Sequence, residues 1–451
     1  MNPTPFLDAI VPFRTITTRD IPPDALTVAR QCILDWLGCA LAGSAEPLSE
    51  ILRAELLREG AQGNATVVGA AARASARTAA LLNGAAGHAL EFDDTHLAMS
   101  GHPTAPILPA VLALAEELDA SAEALLAAFV AGVEVACRLG SYIGAEHYRL
   151  GFHATGTLGT IGAAAACANL LHLDEPAWRN AISLAGTQSA GLKASFGSMA
   201  KPLHAGKAAS DGLFAARLSA RGYIGAADII DAPVGLATAA ANGKTNPAAL
   251  EASRDHFLIR DTLFKYHASC YLTHAGINAI SSLRGQFEPA AITAIELRVH
   301  PSLFTVCNIQ QPRSGLEVKF SLRATAAMAA LGLDTTNAAM FADALAQNPA
   351  LVTLRDRVAV VADSSLASSV AHVTISTHDG CTLAAVADTG VPAADLTLQA
   401  SRLQAKFLGL ATPALGADVT AQLSTALLNM DAATPVRAIT QLAVRPAFGP
   451  K

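Results

Sequence analysis

Charge is scarce in this sequence: Asp, Glu, Lys and Arg make up 15% of its 451 residues, against 52% hydrophobic. A chain exposing its whole surface to water carries more charge than this. The shortage predicts that some of the surface is buried against a second copy, because obligate interfaces resemble an opened core. Positive charge is scarcer still. The net charge is −6, and no basic stripe with interleaved aromatics occurs, which excludes nucleic acid as a partner. Uncharged apolar runs stop short of the ~20 residues needed to span a bilayer, so no membrane partner is expected. The opening MNPTPFLDAIVPFRTITTRD has no apolar core between a basic start and a small-residue cleavage site, so it reads as neither signal nor transit peptide. The seven cysteines (Cys32, Cys39, Cys137, Cys167, Cys270, Cys307, Cys381) are scattered, odd in number and never in CxxC spacing. That excludes a disulfide framework or a cysteine zinc site, and it predicts reduced thiols and a cytoplasmic location.

What is present is mostly helical. A chain of 451 residues exceeds one ordinary domain, so two or three are expected. In IPPDALTVARQCILDWLGCALAG, Pro22 and Pro23 suit a first turn, Leu26, Ala29, Ile33, Trp36, Leu37 and Ala40 recur at helical spacing, and Gly43 can close the end. Asp119 can cap a second helix through SAEALLAAFVAGVEVACRLG, and further helices are predicted near 157–171, 176–192 and 206–221. After about residue 262 the texture changes. Ile292–His300, Arg357–Asp363 and Val370–Thr377 are β-branched and often alternate, and a hairpin is predicted around Asp379-Gly380. The fold class expected is mainly α: a large helical domain from residues 1–262, joined by the tail 401–451, and a smaller α+β domain at 263–400.

Against so apolar a background, four polar clusters stand out. GHALEFDDTHLAMSGHPTAP holds His88, Glu91, Asp93, Asp94, Thr95, His96 and His102; EHYRLGFHATGT holds His147, Tyr148, Arg149 and His153. GLKASFGSMAKPLHAGKAA holds Lys193, Lys201, His204 and Lys207, and LFKYHASCYLTHAG holds Lys265, Tyr266, His267, Cys270 and His274. Structural roles account for some of them. Asp93 or Asp94 can cap a helix, a single histidine is often a satisfied core residue, and Lys207 reads as a solvated or backbone-capping charge. Lys201 is different, because Pro202 pushes it out of the α region among small and apolar neighbours.

Sharper motifs fail on context. FDDTH resembles the magnesium motif of helical terpenoid synthases, which requires a second acidic cluster that is not visible here. As transition-metal ligands, His96 and His102 lie across a Gly-Pro break that fits no helical spacing. Ser198-Met199-Ala200-Lys201 matches the S-x-x-K string of penicillin-recognising enzymes, but Pro202 would break the helix that string requires. Gly156, Gly159 and Gly162 follow no strand, so they read as a stripe for close helix packing rather than a dinucleotide fingerprint.

Taken in order, HALEFDDTH…GHPTAPILPA, HYRLGFHATGTLGTIGAA, FGSMAKPLHAGKAA and KYHASCYLTHA resemble the MmgE/PrpD family over nearly the whole chain, with EVKFSLRATAAM (Glu317–Met328) supporting the C-terminal domain. Members include 2-methylcitrate dehydratase, cis-aconitate decarboxylase and iminodisuccinate epimerase. The resemblance implies a helical domain with an α+β lid domain, a homodimer, and an active site between the domains without metal or organic cofactor. It carries Thr95, His102, His153, Lys201 and Lys265 into the site, and Tyr148 stands where epimerase-like members place a tyrosine. The catalytic set implied is His102, His153, Lys201 and Tyr148; the substrate-binding set is Glu91, Asp94, Thr95, Lys193, Lys265 and Cys270. Three positions depart from the family: Glu91 replaces the Asp of the decarboxylase pattern, Cys270 replaces its catalytic histidine, and Lys193 replaces a small or apolar residue.

The residue types suit proton abstraction beside a carboxylate. The developing enediolate needs nearby cations, histidine supplies an acid or base near neutral pH, and Lys201 and Lys265 suit the carboxylates, either serving as base if burial lowers its pKa. The reading is a hydro-lyase of the 2-methylcitrate dehydratase kind, acting on a small hydroxylated di- or tricarboxylate. An epimerase or isomerase on the same scaffold is the alternative, then a decarboxylase, with an inactive carboxylate-binding protein as the reading from another class.

Overall fold

The computed structural model describes residues 4–60 and 62–445; of the segments assigned above, 1–3, 61 and 446–451 lie outside the described residues. The chain is mainly α. It begins with a stack of helices: α1 (Pro23–Gly43), α2 (Ala76–His88), α3 (Thr104–Leu118), α4 (Ala122–Arg149), α5 (Ala154–Leu170), α6 (Glu175–Gly186) and α7 (Ala200–Ala220). After it come α8 (His274–Ser282), α9 (Leu322–Leu331), α10 (Leu396–Leu415) and α11 (Ala417–Leu428). A four-stranded sheet is built from β1 (Ile292–Val299), β2 (Val358–Ala362), β3 (Val370–Thr377) and β4 (Thr382–Asp388), in the order β2-β1-β3-β4.

Small residues explain the tightness of the helical stack. Every residue of α5 is buried, as expected for a helix that is apolar all round. Its glycine stripe lets neighbours cross at backbone distance: a Cβ on Gly162 would lie 2.8 Å from Gly132 O, and one on Gly159 would lie 2.4 Å from Pro106 Cγ. On α7, a Cβ on Gly212 would come 2.5 Å from Ala163 Cβ and 2.6 Å from Thr160 O. Among the described residues two helices, α1 and α4, are long and apolar enough to cross a membrane, and 78% and 89% of their apolar windows are buried inside the protein. Each carries buried charge with a partner. Asp35 of α1 pairs with Lys406 of α10 at 2.6 Å. Glu134 of α4 pairs with Arg138 and accepts from Leu258 N and Ile259 N at 3.0 and 2.8 Å.

The sheet has its own apolar cluster. Ile295 and Leu297 of β1 and Val373 and Ile375 of β3 pack with Ile277 and Ile280 of α8 and Met328 of α9, and Cys39, Leu90 and Phe92 reach in from the helical stack. Strands β1 and β2 are parallel (Ile295 beside Val358); β1 and β3, and β3 and β4, are antiparallel. The β3–β4 hairpin turns at Gly380, whose φ of 80° suits glycine. Helix α10 then returns along α1, where Gln399 Nε2 donates to Gln31 Oε1 at 2.7 Å.

Two local expectations are corrected. Asp119 does not start α4: it ends α3 in a left-handed conformation at φ 53°, and the side chain of Ser121 caps α4 by accepting from Ala124 N. Lys201 is not extended. It lies in the first turn of α7, where the N–H that Pro202 lacks would have had no intrahelical acceptor.

Packing this close is testable. Gly162→Val and Gly212→Val are each expected to lower stability by about 1–3 kcal/mol through overpacking. Urea unfolding measures it, and unchanged midpoints would mean that the helices do not cross there.

Candidate active site

The polar clusters meet around the turn that follows α2. That helix ends at His88, and the chain reverses with Glu91 in the left-handed region at φ 57°, a conformation costly for a residue with a Cβ. Glu91 reaches the first turn of α7, where the Lys201 ammonium group donates to both of its carboxylate oxygens. Lys265 donates to Glu91 O at 2.8 Å and lies 3.9 Å from Oε2. All three residues are buried. Burial opposes charge on Glu91, but Lys201, followed by His88 and Lys265, outweighs it and holds the carboxyl at about 2. The rings of Phe196 and Phe320 flank the Lys201 ammonium at 5.0 and 5.4 Å.

Beside this pair lies a group of imidazoles. His88 Nδ1 is 2.9 Å from Asp93 Oδ2. His102 Nδ1 is 3.3 Å from the same oxygen and 2.6 Å from Asp94 O. A carbonyl oxygen only accepts, so His102 Nδ1 carries the proton and Nε2 the lone pair. Burial outweighs the pull of Asp93 and lowers the His102 pKa to about 4, so the ring is neutral and able to take a proton at pH 7. Asp93 stays ionised because His88 and His102 overcome its burial. His153, at the N-terminus of α5, lies with its Nδ1 3.0 Å from His204 Nδ1. Burial first, then Lys201, pushes its pKa well down. The ring of His88 lies 4.6 Å from that of His102 and 5.8 Å from that of His153.

The remaining predicted residues divide. Thr95 joins the group as a strut: its hydroxyl donates to Gly101 O at 3.1 Å, and its backbone pairs with Leu263. Burial raises the Tyr148 phenol, followed by the proximity of Cys270, Cys307 and Glu91. Lys193 sits 3.9 Å over the Tyr148 ring and donates to Tyr148 O at 3.2 Å, so it is tied to that tyrosine rather than to Glu91. The Cys270 thiol is lowered, chiefly by the neighbouring Cys307 and further by Lys265 and Lys201, against its burial. Asp94 meets the group through its backbone carbonyl, which accepts from His102, while its carboxyl turns away. Its carboxyl accepts from Thr104 and lies against Cys32, and burial raises it to about 7. The carboxylate that serves the imidazoles is its neighbour Asp93.

Other members of the four clusters are structural. His96 Nε2 meets Leu258 O at 2.7 Å, His147 bridges Ala240 O and Thr157 Oγ1, and Lys207 pairs with Asp211 one turn along α7. Sequence reasoning did not select His88, Asp93, His204 or Phe196 as site residues. All four stand inside the polar clusters, so proximity in sequence was the available signal. The ligand atoms of His88, Glu91 and His102 lie within 4.8 Å of one another, close enough to hold a metal ion. A cation there would have to take Glu91 from Lys201 and share the space with a second ammonium group, so this donor set favours a proton network. A cavity of about 1000 Å³ adjoins the same turn, lined by Leu90, Phe92, Lys319, Tyr266, Arg402 and Lys406 among others, and none of the site histidines borders it.

Imidazoles, carboxylates and ammonium groups are thus packed into one buried site. Residues 13–248 match the MmgE/PrpD N-terminal domain and residues 267–431 the MmgE/PrpD C-terminal domain, and the chain belongs to this family. It is 35% identical over 225 residues to a cis-aconitate decarboxylase-like protein of Aspergillus oryzae, covering 48% of this chain and 47% of that protein. It is 31% identical over 315 residues to the cis-aconitate decarboxylase of Aspergillus terreus, covering 65% and 63%, and 32% identical over 264 residues to the human cis-aconitate decarboxylase, covering 57% and 54%. The matched stretch thus spans about half to three-fifths of these relatives.

The acid limb of kcat/KM is expected near pH 4, not near the 6.5 of free imidazole. As pH falls through that value His102 gains a proton and loses its lone pair. A pH profile of the wild type beside His102→Gln checks this, and an acid limb that survives unchanged in the variant would clear His102. Prolonged EDTA treatment is expected to leave turnover intact; activity lost and then restored by a divalent ion would overturn the proton-network reading.

Proposed function

We propose that this protein is a cofactor-independent lyase that removes a proton beside a carboxylate of a small hydroxylated di- or tricarboxylate and eliminates water. The observation that carries the reading is the pair of buried ammonium groups, Lys201 and Lys265, converging on one carboxylate beside a neutral His102. Two cations that hold Glu91 can also stabilise the charge developing on a substrate enediolate, and they act strongly where water is excluded. His102 Nε2 then takes the α-proton, and Tyr148 supplies a proton to the departing hydroxyl, which leaves as water. Because Glu91 already occupies the cations, a substrate carboxylate must share or displace it. That need supports an opening step, with the α+β domain at 263–400 acting as a lid and the helical domain of residues 1–262 with the tail 401–451 as its base. We extend the proposal to a homodimer located in the cytoplasm.

A decarboxylase is the second reading, favoured by the names of the similar fungal and human proteins. Against it, Cys270 stands where the decarboxylase resemblance calls for a catalytic histidine. An epimerase needs proton carriers on two faces of one carbon, and Tyr148 together with His102 supports that third possibility.

Proton NMR in D₂O with a panel of di- and tricarboxylates separates these outcomes: loss of water is expected, whereas loss of CO₂ or α-deuteration alone would sink the dehydratase assignment. Lys201→Met should lower kcat by about 10²–10³, or roughly 3–4 kcal/mol of transition-state stabilisation. Lys193→Met should mainly raise KM, through a loosened Tyr148 and one fewer cation for an additional anionic group. A Lys201 variant with near-normal kcat would remove that residue from the chemistry.

A further inference from the structure

Three consecutive backbone carbonyls in the Glu91 turn are each held by a lysine from a distant segment of the chain. Lys319 donates to Leu90 O at 2.8 Å, Lys265 to Glu91 O at 2.8 Å, and Lys406 to Phe92 O at 2.6 Å. Lys406 also donates to Lys265 O at 2.9 Å, which joins two of the three supports. Its ammonium group lies 3.8 Å over the Phe92 ring and forms the ion pair with Asp35. Lys265 is wholly buried, Lys319 is 6% exposed and the Lys406 side chain is 6% exposed.

The arrangement answers a local problem. Helix α2 has ended at His88, so these carbonyls have no following helical turn to supply N–H donors. Buried carbonyls need partners, and hydrogen bonds from charged donors are worth more than neutral ones. The residue in the middle of the three is Glu91, the one in the left-handed region. Leu90, Phe92, Lys319 and Lys406 all border the cavity of about 1000 Å³, so on that side the turn is backed by open space and lysine stems rather than by solid packing.

We propose that Lys319 and Lys406 are positioning residues that clamp the Leu90–Phe92 turn in the conformation presenting Glu91 to Lys201; the functional half of this inference rests on Glu91 and Lys201 belonging to the reaction site. Lys319 comes from the segment before α9 and Lys406 from α10, so the turn is set only when both have docked against the helical stack. Cys270 N donates to Lys319 O at 2.9 Å, which ties the same clamp to the Cys270 corner of the site.

The test uses the full-length protein carrying Lys319→Met or Lys406→Met, with Lys319→Arg and Lys406→Arg as conservative partners. Hydrogen exchange without ligand should quicken about tenfold or more in peptides spanning 89–96, as expected for loss of a charge-assisted hydrogen bond. Peptides within α5 should keep wild-type protection. For the Met variants kcat should fall about 10- to 100-fold with KM within a few-fold of wild type, the signature of a displaced catalytic group. The Arg variants, which keep both charge and donor, should recover most of that loss. Unchanged exchange at 89–96 in both Met variants would overturn the clamp, as would loosening that spreads equally into α5. If the Met variants fail to fold, the Arg variants carry the test: wild-type kcat with a loosened turn would overturn the positioning role. A wild-type protein inactive on every carboxylate would fault the proposed reaction instead, and the exchange data would still decide for or against the clamp.

Discussion

Two carboxylates, Glu91 and Asp93, are kept ionised in an interior that would ordinarily neutralise them, and much of the structure around them serves that end. Removing a carboxylate from water costs several kcal/mol even after relaxation, and only close partners offset it. Glu91 has Lys201 and Lys265; Asp93 has His88 and His102. Two other buried carboxyls make the contrast. Asp94, which accepts from a neutral hydroxyl, is pushed up to about 7, and Asp35, opposite the single ammonium of Lys406, reaches about 6. Four carboxyls around one turn therefore sit in different protonation regimes, decided by the ammonium groups beside Glu91 and Asp35, the imidazole hydrogen bonds on Asp93, and the lone hydroxyl on Asp94.

The partners come from segments of the chain far apart in sequence. Lys201 is delivered by α7, whose small residues bring it against α2 and α5; a Cβ on Gly206 would lie 2.2 Å from Leu81 O. His153 stands at the head of α5, and its backbone N–H donates to Gly191 O at 3.0 Å. Lys265 and Cys270 arrive from the segment leading into the sheet region, joined to the helical stack by the Thr95–Leu263 bridge. A rigid stack under a turn held by hydrogen bonds is a reasonable way to keep acid, base and cations within ångströms of their places, which preorganised electrostatic catalysis requires.

Much of this was legible in the sequence because it is carried by local chemistry. The helical period with its Pro22–Pro23 start, the β3–β4 hairpin at Asp379-Gly380 and the glycine stripe of α5 follow from rules that act within a few residues. Of the site, Glu91, Thr95, His102, His153, Lys201, Lys265 and Cys270 do come together around one turn, after appearing in the sequence as dense polar clusters in an apolar background. Where the local reading failed, the reason was also local. Pro202 argues in the sequence for an extended Lys201, yet a proline in a first turn forgoes a hydrogen bond that no residue there makes.

The sequence by itself determined which residue types would stand close to one another, since side chains four or five positions apart cannot separate far. It could not determine which of two adjacent carboxylates would face the imidazoles. Asp93 and Asp94 are chemically identical, and the direction of each side chain is set by the reversal at Glu91. Nor could it disclose Lys319 and Lys406 as supports of that reversal, because their partners are main-chain carbonyls more than two hundred residues away. A carbonyl leaves no trace in the identity of its residue, so contacts of this kind are decided only when the chain has folded.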